Sequence, residues 1–190
     1  MAQQSFISGT ISNTTSSTRV LTKYFENVFD KDLADFAFEY LKDSIQWMDG
    51  IKTRTGNFTR KQKALRIDDD DIVFSMINRA LDYIKLHFKC AYLVDGVYLN
   101  YYRNGLDYTP MHSHDTCQMI ISLGCQRCLR VGTKDYYMNH GSVCIFGKSS
   151  HGVREQPEIQ EGRISIAVFL REVNMNLDLT DLTDSLQRIL

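Results

Sequence analysis

Four residues carry the types and spacing that could do chemistry: His112, His114, His151 and Arg163. Histidine is the commonest metal ligand. Side chains on extended chain repeat every second residue, so His112-x-His114 can put both imidazoles on one face. His151, on a later segment, could close the site. Two neighbouring ligands plus one distant ligand is the layout of a facial triad on iron, which leaves positions open for a co-substrate and dioxygen. Arg163 opens a late apolar strand, with Ser165 on the same face. A guanidinium fork there could hold a carboxylate in two parallel hydrogen bonds. Asn100 and Tyr102 share one face of the strand leading to the histidines and could offer an amide and a phenol to the same acid. The expected ligand is a small dicarboxylate that also chelates the iron. His87 and His140 fall on a predicted helix and in an Asn-His-Gly turn, and read as ordinary histidines.

These residues need a scaffold, and the pattern predicts two helices followed by short strands. Leu33, Phe36, Ala37, Tyr40 and Leu41 keep helical spacing over 30–45, with Asp30 as N-cap and Asp32 in the first turn. Val73, Ile77, Ala80, Leu81, Ile84 and Phe88 make a second stripe over 72–89. The acidic run Asp68 to Asp71 ahead of it suits a helix start better than a calcium loop, which would need a glycine and a distal glutamate in register. Beyond Cys90 the period changes. Strands are predicted at 97–102, 118–123, 127–131, 135–138, 142–146 and 163–170, separated by turn signals such as Asn104-Gly105 and Asn139-His140-Gly141. The fold class expected is α+β, with a jelly-roll core and the two helices packed outside it.

The bulk properties permit this. The 190 residues fit one domain, and 43% hydrophobic with 11% aromatic content can form a sizeable core. Residues 1–18 are expected to be a disordered leader, 19–172 the domain, and 173–190 an acidic tail with a short helix from Leu179. Five cysteines, an odd number, without a secretory apolar segment point to a reducing interior rather than a disulfide framework. Cys125-x-x-Cys128 is half a zinc ribbon with no second pair. No apolar run reaches the roughly 18 residues of a spanning helix. The expectation is an intracellular, soluble protein, cytoplasmic or nuclear, without a membrane partner.

The net charge of −1 means that any nucleic-acid contact must come from a local patch. Lys52, Arg54, Arg60, Lys61, Lys63 and Arg66 form one, with no acid between them and Phe58 available to stack. The segment reads equally as a solvated basic loop or as a phosphate-contacting surface.

Residues 97–171 resemble the AlkB-like Fe(II)- and 2-oxoglutarate-dependent dioxygenases. The matching features, in order, are Asn100-x-Tyr102, Gly105 with Asp107, His112, Ser122-Leu123-Gly124 with Arg127, Gly141-Ser142, His151-x-Val153 and Arg163-x-Ser165. Thr59-Arg60-Lys61-Gln62 looks like part of that family's nucleotide-recognition lid. The resemblance implies a double-stranded β-helix and the cofactors Fe(II) and 2-oxoglutarate. It implies iron on His112 and His151, and 2-oxoglutarate on Asn100, Tyr102, Arg163 and Ser165. It also implies oxidative demethylation of alkylated bases in nucleic acid, as in DNA repair, on a single-stranded or flipped base met by Arg60, Lys61 and Gln62.

The chain departs from the family pattern twice. Where the family has H-x-D, this chain has His112-Ser113-His114, with Asp115 one residue later. Either His114 ligates, or a bulge brings Asp115 to the metal and frees His114. If Asp115 is not bound to iron, it could hydrogen-bond the base. A second arginine, six residues after the first in repair members, is Phe169 here. Two other functions stay open: a 2-oxoglutarate-dependent hydroxylase of a protein or small molecule, and a non-catalytic binding module with a degraded iron site.

Overall fold

The strand that opens on Arg163 lies in the middle of the larger of two sheets. The computed structural model describes residues 22–53, 56–66, 69–88 and 91–173; the expected leader, the tail helix and Cys90 lie outside the described residues. In chain order the elements are β1 (Lys23–Phe25), α1 (Lys31–Ser44), β2 (Met48–Asp49), β3 (Lys61–Leu65), α2 (Asp71–Lys85) and β4 (Ala91–Tyr102). They continue with β5 (Thr109–His112), β6 (Cys117–Gly124), β7 (Arg127–Val131), β8 (Lys134–Met138), β9 (Ser142–Phe146), β10 (His151–Val153) and β11 (Arg163–Val173).

The larger sheet has the order β1-β9-β6-β11-β4-β3-β2, and the smaller β5-β10-β7-β8. All pairings are antiparallel. From β4 onward the chain passes back and forth between the sheets, with β4, β6, β9 and β11 in the larger and β5, β7, β8 and β10 in the smaller, which is the double-stranded β-helix, or jelly roll, expected of the sequence.

Alternation along the central strands decides what each face packs against. Ile164, Ile166, Val168 and Leu170 of β11, with Met119, Ile121 and Leu123 of β6 and Val97 and Leu99 of β4, are buried on one face. They join Ala34, Ala37 and Leu41 of α1 and Val73, Met76, Ile77, Ala80 and Ile84 of α2 in one apolar core. Each large aliphatic side chain sealed there contributes roughly 1.5–3 kcal/mol. Both helices start where expected: the carboxylate of Asp30 accepts from the Leu33 N–H, and that of Asp70 from Val73, each at 2.9 Å. The second helix ends at Lys85, four residues short of expectation.

The opposite face looks between the sheets. A smaller core lies there, with Ile120, Leu129, Val131, Met138, Cys144, Phe146 and Val153. Two expectations change. The basic segment is not all loop, because β3 lies within it and pairs with β4. The strand over 97–102 begins six residues earlier, at Ala91.

Candidate functional site

The two flanking histidines face each other because of strand register. His151 of β10 pairs directly with His112 of β5. Gly152 permits this, since a Cβ there would meet the Thr109 carbonyl oxygen at 2.7 Å. His114 lies just past the end of β5, and so is not on regular strand as expected. The rings nevertheless gather, with centroids 4.3 Å apart for His112 and His151, 4.8 Å for His112 and His114, and 5.6 Å for His114 and His151. Their candidate ligand atoms all lie within 4.8 Å of one another, so one ion can sit among them. Asp115 is exposed and stands outside this cluster.

Two of the three imidazoles are fixed by backbone. His112 Nδ1 lies 2.8 Å from the Pro110 carbonyl oxygen, and His151 Nδ1 lies 2.9 Å from that of Ser149. A carbonyl can only accept, so each Nδ1 carries the proton and each Nε2 keeps its lone pair for a metal. His114 has ring neighbours instead: Phe169 meets it edge-on at 4.9 Å. Burial pushes the His151 imidazole down to about 4 and also lowers His114, with the neighbouring imidazoles adding to both. Neutral rings are what a divalent cation needs, so the donor set fits a borderline transition metal such as Fe(II).

These residues line a pocket of about 680 Å³ between the sheets, together with Asn100, Tyr102, Arg163 and Ser165. Arg163 is fully buried. Its Nε donates to Ser122 Oγ at 2.9 Å, while Nη1 and Nη2 have no partner. Burial lowers the guanidinium, yet arginine keeps its charge in proteins. A buried cationic fork without an acceptor is the complement of a carboxylate, which it would hold in two charge-assisted bonds. The Asn100 amide lies 3.5 Å from Ser165 Oγ, and the Tyr102 phenol 2.7 Å from Thr109 Oγ1. The residue set therefore fits a small dicarboxylate beside a metal.

Arg127 plays a part that the sequence reading did not assign. It is also fully buried, and its guanidinium donates to the carbonyl oxygens of Asn104 (2.8 Å), Asp107 (2.7 Å), Arg154 (2.9 Å) and Gly105 (3.3 Å). It thus ties the turn leading to β5 to the residue that follows β10, the two strands carrying His112 and His151. Gly105 suits this turn, since a Cβ would fall 1.7 Å from the Gln156 carbonyl oxygen. Arg127 and Arg163 both lie against the Tyr102 ring, 5.5 and 5.2 Å from its centroid.

The basic segment divides. Arg60 and Gln62 line the pocket, and Arg60 Nε donates to Asn100 Oδ1 at 2.7 Å. Lys61 is turned by strand parity to the other face of β3 and is paired with Asp49 at 2.5 Å. It does not line the pocket as expected. His140 accepts from the Gly124 N–H at 2.8 Å and lies 3.1 Å from Asp35, a structural bridge between β6 and α1.

No protein-family model and no curated protein matches the chain. Solved structures do match. A Pseudomonas putida prolyl-4-hydroxylase is 12% identical, with 83% of this chain and 95% of that one covered at a TM-score of 0.57. The non-heme alpha ketoglutarate dependent epimerase of nogalamycin biosynthesis is 12% identical, with 80% and 78% covered at 0.61. A Trichoplax adhaerens prolyl hydroxylase, solved with a hypoxia inducible factor peptide fragment, is 11% identical, with 78% and 82% covered at 0.58. At these identities the likeness shows the fold, and the chain has the double-stranded β-helix on which these enzymes are built.

Proposed function

We propose that the protein is an Fe(II)- and 2-oxoglutarate-dependent oxygenase. The observation that carries this reading is the buried Arg163 fork, with Nη1 and Nη2 unpartnered, in the same pocket as three clustered imidazoles. His112, His114 and His151 would hold iron, and Arg163, assisted by Ser165, Asn100 and Tyr102, would hold the far carboxylate of 2-oxoglutarate. When bound, this pair supplies the oxidation of a substrate C–H bond by dioxygen. The protein's own part is placement. Pro110 and Ser149 keep two imidazoles in the ligating tautomer, Arg127 holds the strands that carry them, and the apolar walls Ile120, Leu129 and Val153 limit water.

The substrate we infer is a base in nucleic acid, with demethylation of an alkylated base as the reaction. The AlkB-like residues over 97–171 support this, as do Arg60 and Gln62 at the pocket. Hydroxylation of a protein side chain is the second reading, favoured by neighbours that are named prolyl hydroxylases.

The test is succinate formation from 2-oxoglutarate with Fe(II), using a panel of methylated single-stranded oligonucleotides beside prolyl peptides. Product on an oligonucleotide supports the base reading, and product on a peptide alone replaces it with the second. Turnover no higher than that of His151→Ala would leave a binding module without catalysis. Oligonucleotide binding should also weaken steeply with salt. Lys63→Ala should reduce the salt slope more than Lys61→Ala, because Lys61 is already paired with Asp49.

A further inference from the structure

The pocket has a second polar station that neither the histidines nor Arg163 accounts for. Gln118 of β6 is 2% exposed and lines the pocket, and its carboxamide makes no hydrogen bond among the described residues. Two residues earlier, Thr116 also lines the pocket, and its buried hydroxyl has no partner. Buried polar groups are nearly always satisfied. The Thr116 hydroxyl, just ahead of β6, and the Gln118 carboxamide both open onto the pocket and call for a ligand.

The carboxylate of 2-oxoglutarate that Arg163 would hold does not reach this station. In the sheet register Arg163 stands opposite Gly124, and Phe169 opposite Gln118. Six residues of strand separate the two positions, about 20 Å at the usual rise. A five-carbon diacid anchored on Arg163 ends at the histidines, and Phe169, the register partner of Gln118, meets His114 edge-on, so Gln118 stands at the metal end of the pocket, away from the Arg163 anchor. The surroundings instead suit a flat group. Phe169 lies beside Gln118 and edge-on to His114, and Tyr98 packs against Phe169 at 5.6 Å.

We propose that Gln118, assisted by Thr116, reads the hydrogen-bonding edge of the planar base presented to the metal. A carboxamide sets one acceptor beside one donor group, which matches an edge carrying a donor next to an acceptor, as nucleobases do. A proline ring has no such edge. The Thr116 hydroxyl gives or accepts a further bond, and the half-buried Phe169 ring and the exposed Tyr98 ring offer the base a surface. This inference rests on the nucleic-acid reading and narrows it: Gln118 sets which base is accepted, while Arg163 sets the co-substrate.

The test compares wild type with Gln118→Met, which keeps the size and removes both polar groups, with Gln118→Glu, which keeps only acceptors, and with Thr116→Val. Each is assayed on the methylated oligonucleotide panel. Stabilisation by 2-oxoglutarate against heat serves as the check that fold and pocket are intact. Expected are a rise in KM of at least tenfold for Gln118→Met, a smaller rise for Thr116→Val, and a changed order of base preference for Gln118→Glu. If wild type yields product and both Gln118 variants keep its KM within twofold and its base order, the inference is overturned and the nucleic-acid reading stands. If wild type makes succinate but modifies no oligonucleotide, that reading falls and takes the inference with it.

Discussion

On one face of β11, Ile164, Ile166, Val168 and Leu170 are sealed against the helices; on the other, Arg163, Ser165, Ala167 and Phe169 line the pocket. The residues alternate within one strand, so both faces share the same backbone hydrogen bonds and differ only in their side chains. The helix face gains stability from every methylene it hides. The pocket face holds a buried charge with nothing to neutralise it, an arrangement that weakens the folded protein and strengthens its grip on an anion. Stability and binding should therefore respond to mutation separately, according to residue parity.

The largest effect should come from the helix face. Ile166→Ala removes a fully buried side chain from the main core and should cost about 2–5 kcal/mol in urea unfolding. Stabilisation of the remaining folded protein by 2-oxoglutarate should keep its wild-type size. A loss of ligand response in proportion to the lost stability would break the comparison, because the two faces would then be coupled.

Arg163→Met should do the reverse. Charge-assisted hydrogen bonds contribute roughly 1.5–3 kcal/mol each, so 2-oxoglutarate should bind at least about a hundredfold more weakly in calorimetry. The ligand-free protein should be no less stable than wild type, since the variant deletes an unpaired buried cation. A ligand-free variant destabilised by several kcal/mol would mean that Arg163 belongs to the core rather than to a binding site.

The metal ligands come next. His114→Ala should lower Co(II) or Fe(II) affinity in anaerobic titration by roughly 10–100-fold, the scale on which even outer contacts of a metal site matter. Asp115→Ala should leave it within twofold, because Asp115 is exposed and outside the cluster. The opposite ranking would put a carboxylate on the metal and restore the H-x-D pattern by way of a bulge.

What could be read in the sequence follows from the same parity. Helix α1 was legible because its apolar residues keep helical spacing, which marks an element with one face buried, whereas β7 and β9, buried on both faces, were legible as short runs bounded by turn signals. The short strands β1, β2 and β10 have two or three residues each, too few to show a period, and exist because a neighbour pairs with them. Strand β3 was hidden by its composition, KQKAL, since a strand near the sheet edge carries charge without penalty. The histidines and Arg163 stood out by residue type. Arg127 and Gln118 did not, although both are buried, because whether a polar side chain is satisfied depends on carbonyls and strands far away in sequence. A buried register position held by glutamine, in the run Cys117-Gln118-Met119-Ile120-Ile121, was the one available signal.

The smallest expected effect tests how the pocket face meets the metal. His112 and His151 are each held at Nδ1 by a carbonyl, whereas His114 is held by the edge-on Phe169 ring at 4.9 Å. Such a ring contact contributes about 0.5–1.5 kcal/mol. Phe169→Leu keeps an apolar side chain at this position but loses the directional contact, so His114 must be oriented at the ion's expense. Co(II) affinity should fall roughly three- to tenfold, with a changed visible absorption spectrum, while Phe169→Tyr keeps the wild-type spectrum. Binding of 2-oxoglutarate to the metal-free protein should not change in either variant, because Arg163 lies six residues away along β11. An unchanged Co(II) spectrum in Phe169→Leu would show that the ion alone orients His114, and the pocket face would then supply charge at Arg163 without supplying order at Phe169.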